Sequence, residues 1–405
     1  MRHLGAGIPP AAWALFAVLP LLQLTSSATY PIVPEVRDAF ALSYTEVGVF
    51  LGSLSVARLL FDLPAGQLAT RFHGRRLLWI SAAVTLVACV LGTLATAYWH
   101  LLVARVLIGL MASINQAVIL SRLVGLADAR NRARVMGYAD MGFSIMVTFT
   151  PALAGVLAVH LSWRAPFVMG GVAALLGLGL VLAATRGPEP SEVAPATAAA
   201  QRPPSFGGLL PTGGSLLVMA YALTVAIFFG RHALSGSYLP AVGGDGLGMS
   251  SVELGLAFSG LSLIGTLVTL VSGMLADRWG RAAMAAPCLA LLLLAHTALL
   301  FIHDVPTFFL ITWFAAIGAA PNPLPGSLIG DALPAAYRGL GMATYRLIAD
   351  SGILLGPLLA GLMLDHVGYG GALALMWVTT AACLVVTVVA ARGRKGEPTP
   401  RSSSP

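Results

Sequence analysis

Residues 273–281 read GMLADRWGR, and 207 positions earlier residues 66–71 read GQLATR. Gly66 and Arg71 thus stand in register with Gly273 and Arg278. The register extends outward in both directions. "ALSYTEVG" at 41–48 aligns with "GMSSVELG" at 248–255 at the same offset of 207, and Arg132, Pro151 and Gly155 align with Arg338, Pro357 and Gly361 at an offset of 206. The matches include polar positions, such as Glu46 with Glu253, which chance likeness between apolar runs does not produce. The chain is a tandem repeat.

Composition says in what medium the repeat lives. The chain has 405 residues, of which 58% are hydrophobic and 10% charged, with a mean hydropathy of +0.87. A soluble domain carries about 25% charged residues, so a water-soluble enzyme is excluded. A bilayer-spanning helix needs about 20 apolar residues. Apolar runs near 11–31, 46–68, 77–97, 99–121, 135–158 and 164–185 predict six spans. Six more follow near 213–236, 252–275, 283–302, 305–329, 340–363 and 371–391. The expected fold class is an all-α integral membrane protein with twelve transmembrane helices in two pseudo-symmetric six-helix bundles. The Pro- and Ala-rich stretch 187–210 cannot bury a core and reads as a linker. The expected units are therefore 1–186, the linker 187–210, a second bundle at 211–392 and a tail at 393–405. The first run, preceded only by Arg2 and His3 and lacking a small-residue cleavage site, reads as a span and not as a removed signal.

The net charge of +7 is a matter of topology. Of the 23 basic residues 22 are arginine. With the N-terminus inside, seventeen fall in inside segments (among them Arg71, Arg75, Arg122, Arg278 and Arg281) and two, Arg37 and Arg164, fall outside. This bias places both termini in the cytoplasm of a multi-pass cell-membrane protein, and no nucleic-acid partner is needed to explain it. The three cysteines (Cys89, Cys288 and Cys383) have no paired spacing. No metal site, cofactor, catalytic constellation or nucleotide-binding G-x-x-x-x-G-K-[ST] loop is present.

The stretch Gly273 to Arg281 resembles the G-x-L-A-D-R-x-G-R signature of the major facilitator superfamily, which recurs after helices 2 and 8. The copy with Gly273, Asp277, Arg278, Gly280 and Arg281 is complete. The copy with Gly66, Arg71 and Arg75 departs from it: Thr70 replaces the aspartate, and the glycine comes one residue late at Gly74, or His73 replaces it. The glycines would let helix backbones approach closely. Asp277 would sit at a neighbouring helix N-terminus, and the arginines would latch the cytoplasmic face. Arg105 to Gly109 resembles the family's R-x-x-x-G motif, whose arginine is associated with proton coupling. Thr150 to Gly155 is a worn form of the G-P-x-x-G-G motif linked to export, and Gly352 to Gly361 carries a better copy in the other half.

Seven ionisable residues lie inside predicted spans: Arg58, Asp62, Arg105, Asp140, Arg231, Arg346 and Asp350. Each would cost roughly 2.5–3.5 kcal/mol at the bilayer centre, so each needs a partner or a wet cavity. Arg58 with Asp62, and Arg346 with Asp350, are i,i+4 on one helix face and are expected to pair. Arg105 and Arg231 have no carboxylate nearby in sequence. Arginine stays charged, so the candidate proton carriers are Asp350, Asp62 and Asp140, and Asp350 leads because it lies nearest the midplane. The resemblance implies a cavity lined by helices 1, 4, 7 and 10. Candidate substrate contacts are then Gln23, Ser26, Tyr30, Asn115, Gln116, Arg231, His232, Tyr238, Trp313 and Asn322. Thr25, Ser26 and Asn115 have a competing role as helix–helix hydrogen bonds.

These features imply a secondary transporter working as a monomer in the lipid bilayer, with protons and a small-molecule substrate as partners. The leading expectation is proton-coupled export of an amphipathic compound. The excess of four intramembrane cations over three anions favours a rival, proton-linked uptake of an organic anion. A non-transporting receptor on the same fold would have an apolar, closed centre.

Overall fold

The computed structural model describes residues 10–127, 132–184, 206–319 and 323–394. The first half comprises α1 (Pro10–Gln23, continued by Thr25–Ala28 and Val33–Phe40), α2 (Tyr44–Arg71), α3 (Gly74–Thr93), α4 (Tyr98–Leu126), α5 (Arg132–His160) and α6 (Ala165–Ala184). The second comprises α7 (Leu209–Ala233, continued by the wider turns Leu234–Tyr238 and Ala241–Gly246), α8 (Ser251–Trp279) and α9 (Arg281–Ala298). It is completed by α10 (Val305–Ala319 with Pro323–Ala332), α11 (Ala335–His366) and α12 (Tyr369–Arg394). Among the described residues eleven helices are long and apolar enough to cross a bilayer, or twelve when the bent α1 counts as one span.

The repeat is visible in local chemistry. Ser43 accepts from the Glu46 N–H (3.2 Å) while the Glu46 carboxylate accepts from the Ser43 N–H (2.8 Å). Ser250 and Glu253 do the same at the start of α8, at 3.4 and 2.8 Å. This reciprocal cap satisfies two orphan donors at a helix start. It explains why the serine and glutamate recur at an offset of 207. Gly280 joins α8 to α9 at φ +91°, a backbone conformation that side-chain-bearing residues rarely adopt. His73, at the same place in the first repeat, has φ −57°, so that turn needs no glycine.

Two helices differ from the sequence expectation. The first span bends by 55° between Ala28 and Val33, where Pro31 and Pro34 remove backbone donors and restrict the residues before them. The seventh continues to Gly246, beyond the expected 236. The expected linker falls outside the described residues as far as 205; a helical turn begins at Phe206.

The halves meet along α2 against α11 and α5 against α8. The tight contacts sit at the end far from residues 10 and 394. A Cβ at Gly48 would lie 2.5 Å from the Pro357 carbonyl, and one at Gly52 2.9 Å from Leu354. Gly155 and Gly255 press likewise on Ser251 and Pro151. Gly66 and Gly273 are a correction to the sequence reading. Both are exposed, with nothing within 4 Å of the Cβ position, because they lie at the end where the halves stand apart. One end of the molecule is therefore closed and the end carrying residues 10 and 394 is open.

Candidate functional site

A cavity of about 480 Å³ lies between the halves, walled by α1, α2, α4, α5, α7, α8 and α11. Among the described residues α10 contributes nothing to it, contrary to the four-helix lining expected. Gln23, Ser26, Tyr30, Gln116, Arg231 and His232 line it as anticipated, together with Arg58, Arg105, Asp140, Arg346 and Asp350. Asp62 is absent from the lining but acts electrostatically on Asp350. Ser26 donates to its own helix at Gln23 O (2.6 Å).

The other expected contacts lie elsewhere. Asn115 is fully buried and accepts a 2.5 Å hydrogen bond from Ser81, tying α4 to α3. Tyr238 is buried in the closed end, edge-on to Tyr369 at 6.5 Å. Trp313 donates to the Ala257 carbonyl (3.3 Å) and lies against Gly260, on the flank of α8 away from the cavity. Asn322 lies outside the described residues. His296 is fully buried, its Nδ1 3.2 Å from the Thr380 hydroxyl.

The intramembrane charges pair differently from their spacing. Neither expected i,i+4 pair closes within ion-pair distance. Arg58 Nε instead lies 3.8 Å from Asp350 Oδ1, joining α2 of one half to α11 of the other. That separation makes an ion pair but is too long for a hydrogen bond, and the buried Arg58 Nε has no hydrogen-bond partner. Arg346 is exposed to the cavity and acts on Asp350 from further away.

Arg105 is 2% exposed and carries three hydrogen bonds to neutral acceptors. Nη1 donates to Thr29 Oγ1 (2.9 Å), Nη2 to Leu51 O (3.1 Å) and Nε to Phe50 O (3.4 Å). Its geometry is locked while its charge stays uncompensated. Arg231 makes no hydrogen bond or ion pair through its guanidinium with the described residues, yet it and Arg105 both act on the Tyr30 hydroxyl. His232 uses Nδ1 on the Phe228 carbonyl (2.9 Å).

The closed end is held by contacts that sequence reasoning missed. Asp365 of α11 accepts from the Tyr44 N–H (2.9 Å), the Thr45 N–H (2.7 Å) and the Thr45 hydroxyl (2.6 Å), so it caps α2 of the other half. Arg37 pairs with Asp245 at 3.0 Å and lies 4.3 Å over the Tyr44 ring, whose hydroxyl donates to the same aspartate at 2.5 Å. Glu35 accepts from the Ser251 hydroxyl at the start of α8. At the open end Arg281 holds Asp331 at 2.9 Å and Asp277 at 3.9 Å, within one half. Asp277 and Arg278 are exposed, and the Arg71 side chain lies outside the description. Arg75 is half-buried beside His73 and Trp79.

Residues 15–250 and 220–405 each match the family model for the Major Facilitator Superfamily. The chain belongs to the major facilitator superfamily. Such a chain is a membrane transporter, and the twelve-helix fold agrees with it. A "Probable sugar efflux transporter" of Helicobacter pylori (strain G27) is 24% identical over 39% of this chain, and the match takes in 41% of that relative's length. One of the same description from Pasteurella multocida (strain Pm70) is 26% identical over 83% of this chain and 81% of its own. A "Hexuronate transporter" of Bacillus subtilis (strain 168) is 25% identical over 40% of this chain and 38% of its own. Among solved structures, a bacterial homologue of the human lysosomal transporter Spinster, inward-facing and occupied, superposes with a TM-score of 0.77. It is 16% identical and covers 94% of each chain. The fold of this transporter is thus shared well beyond its sequence similarity.

Proposed function

We propose that this major facilitator transporter is proton-coupled, with Asp350 as the proton carrier, and that it moves a small polar molecule through the central cavity. The observation that carries the reading is the Arg58–Asp350 ion pair between the halves. A carboxylate that binds one half to the other only while ionised has a different interaction with each conformation. That difference is what lets protonation shift a conformational equilibrium. Arg346 and Asp62 act on the same carboxylate, with Asp62 the runner-up carrier and Asp140 a third. Read with the arginine bias, the open end faces the cytoplasm and this is the inward-open state.

The sugar efflux names favour export, the leading sequence expectation. The cavity favours the rival: four arginines line it against two aspartates, Asp140 and Asp350. Proteoliposome assays with an imposed pH gradient test the coupling. Asp350→Asn is expected to lose gradient-driven accumulation while counterflow exchange persists. Full gradient-driven accumulation by that variant removes Asp350 from the mechanism.

A further inference from the structure

We infer that Arg231 is the point at which the cavity grips a carboxylate, and that the transported molecule is a small hydroxylated organic acid. The inference rests on the transport reading above and names the substrate class of the same cavity.

Among the described residues Arg231 is an unpartnered guanidinium lining the cavity of a membrane protein. The other three cavity arginines each face a carboxylate or spend their donors on the protein. Arg58 has Asp350 at 3.8 Å, Arg346 acts on the same carboxylate, and Arg105 spends its donors on Thr29, Leu51 and Phe50. The groups acting electrostatically with Arg231 are Tyr30 and His232. Neither is a carboxylate. Arg105, from the opposite half, adds a second uncompensated charge on the same Tyr30 hydroxyl. Such an arrangement is unfavourable when empty, because an intramembrane arginine is costly unless solvated or paired. A bidentate carboxylate fits the planar guanidinium fork, and the Tyr30 hydroxyl can donate to it.

The rest of the wall specifies the body of the molecule. Gln23, Gln116, Ser235 and Ser262 supply hydroxyl and amide groups around the cavity, with Phe228 and Phe258 as flat apolar faces. A volume of about 480 Å³ is in the usual range for a small-ligand site, roughly 300–1,000 Å³. A carboxylate at one end and hydroxyl groups along the body match this lining. They also reconcile the two kinds of relative, one described by a sugar and the other by a sugar acid. Protonating Asp350 would leave Arg58 without its anion, so a proton and an anionic substrate reinforce each other's binding. That linkage is symport.

The test is a binding equilibrium without any gradient. Purified full-length protein in nanodiscs is titrated by calorimetry with matched pairs: glucuronate and glucose, galacturonate and galactose, gluconate and sorbitol. At least one acid is expected to bind about tenfold or more tightly than its neutral partner, the scale of one charge-assisted hydrogen bond. Arg231→Gln should abolish that preference. Arg231→Lys, which keeps the charge and loses the fork, should weaken acid binding several-fold with an unchanged melting temperature, and it serves if the glutamine variant does not fold. Asp350→Asn should still bind the acid. Equal binding of acid and neutral partner throughout, no acid binding at all, or an intact preference in Arg231→Gln with wild-type binding in Arg231→Lys, would each overturn the inference. None of these outcomes bears on proton coupling, which the Asp350→Asn transport assay reads separately.

Discussion

Arg58 on α2 lies 3.8 Å from Asp350 on α11, and this pair ties the two halves together inside the cavity wall. Both side chains sit mostly out of solvent, at 23% and 8% exposure, so the attraction is only weakly screened. Removing one partner leaves the other charge in a poor solvent.

Arg58→Gln and Asp350→Asn are each expected to lower stability by about 1–3 kcal/mol. The double variant should cost less than the sum of the two, since neither charge is then stranded. Thermal unfolding in detergent measures this. Strict additivity would show that the pair has no energetic meaning.

Gly280→Ala should destabilise the protein by about 1–2 kcal/mol, because its φ of +91° forces a Cβ toward backbone oxygen. His73→Ala, at the corresponding place in the first repeat with φ −57°, should change stability by less than about 0.5 kcal/mol. Equal melting temperatures for the two variants would contradict the assignment of the turn.

Much of this fold was legible because its signals are local. The Ser43–Glu46 and Ser250–Glu253 caps and the Gly280 turn each lie within a few residues, so a repeat in sequence is a repeat in structure. The site was legible in residue type but not in pairing. Spacing offered Arg58 to Asp62 and Arg346 to Asp350, yet Arg58 meets an aspartate on the other half of the chain. A helical period says which face a residue occupies, not which helix packs there. Asn115 and Gln116 are adjacent amide side chains inside one span. Only the rotation of α4 puts Asn115 onto Ser81 and leaves Gln116 on the cavity. The closed-end contacts were invisible for the same reason, with partners 208 and 321 positions apart.

Asp277 should matter in the conformation not seen here. In the open state it is largely exposed, 3.9 Å from Arg281, so Asp277→Asn should change stability by less than about 0.5 kcal/mol. If closure carries it to a helix end of the other half, the same substitution should lower the population of the closed inner end, and Thr70→Asp should raise it. Spin labels at Phe72 and Trp279, both exposed, read that distance. A distribution indifferent to both changes would dismiss the latch.

The closed end yields the sharpest expectation. Asp365 accepts three hydrogen bonds from Tyr44 and Thr45, two of them from backbone N–H groups at the start of α2. A helix start carries partial positive charge, so an ionised aspartate is held there by the dipole as well as by charge-assisted bonds. Asparagine keeps the shape but loses the charge and offers one acceptor oxygen in place of two. Asp365→Asn should therefore weaken the closed end by about 1–2 kcal/mol, enough to raise the separated population roughly five- to thirtyfold. Arg37→Gln removes one solvent-accessible ion pair, at 27% exposure on each side, where Asp365→Asn disturbs three hydrogen bonds to one helix start, and its effect should be smaller, about 0.2–1 kcal/mol. Labels at Leu161 and Leu300, exposed at the same end of opposite halves, report the separation. The ordering is the test: a larger opening in Arg37→Gln than in Asp365→Asn would mean that the Asp245 cluster, and not the cap on α2, holds this end shut.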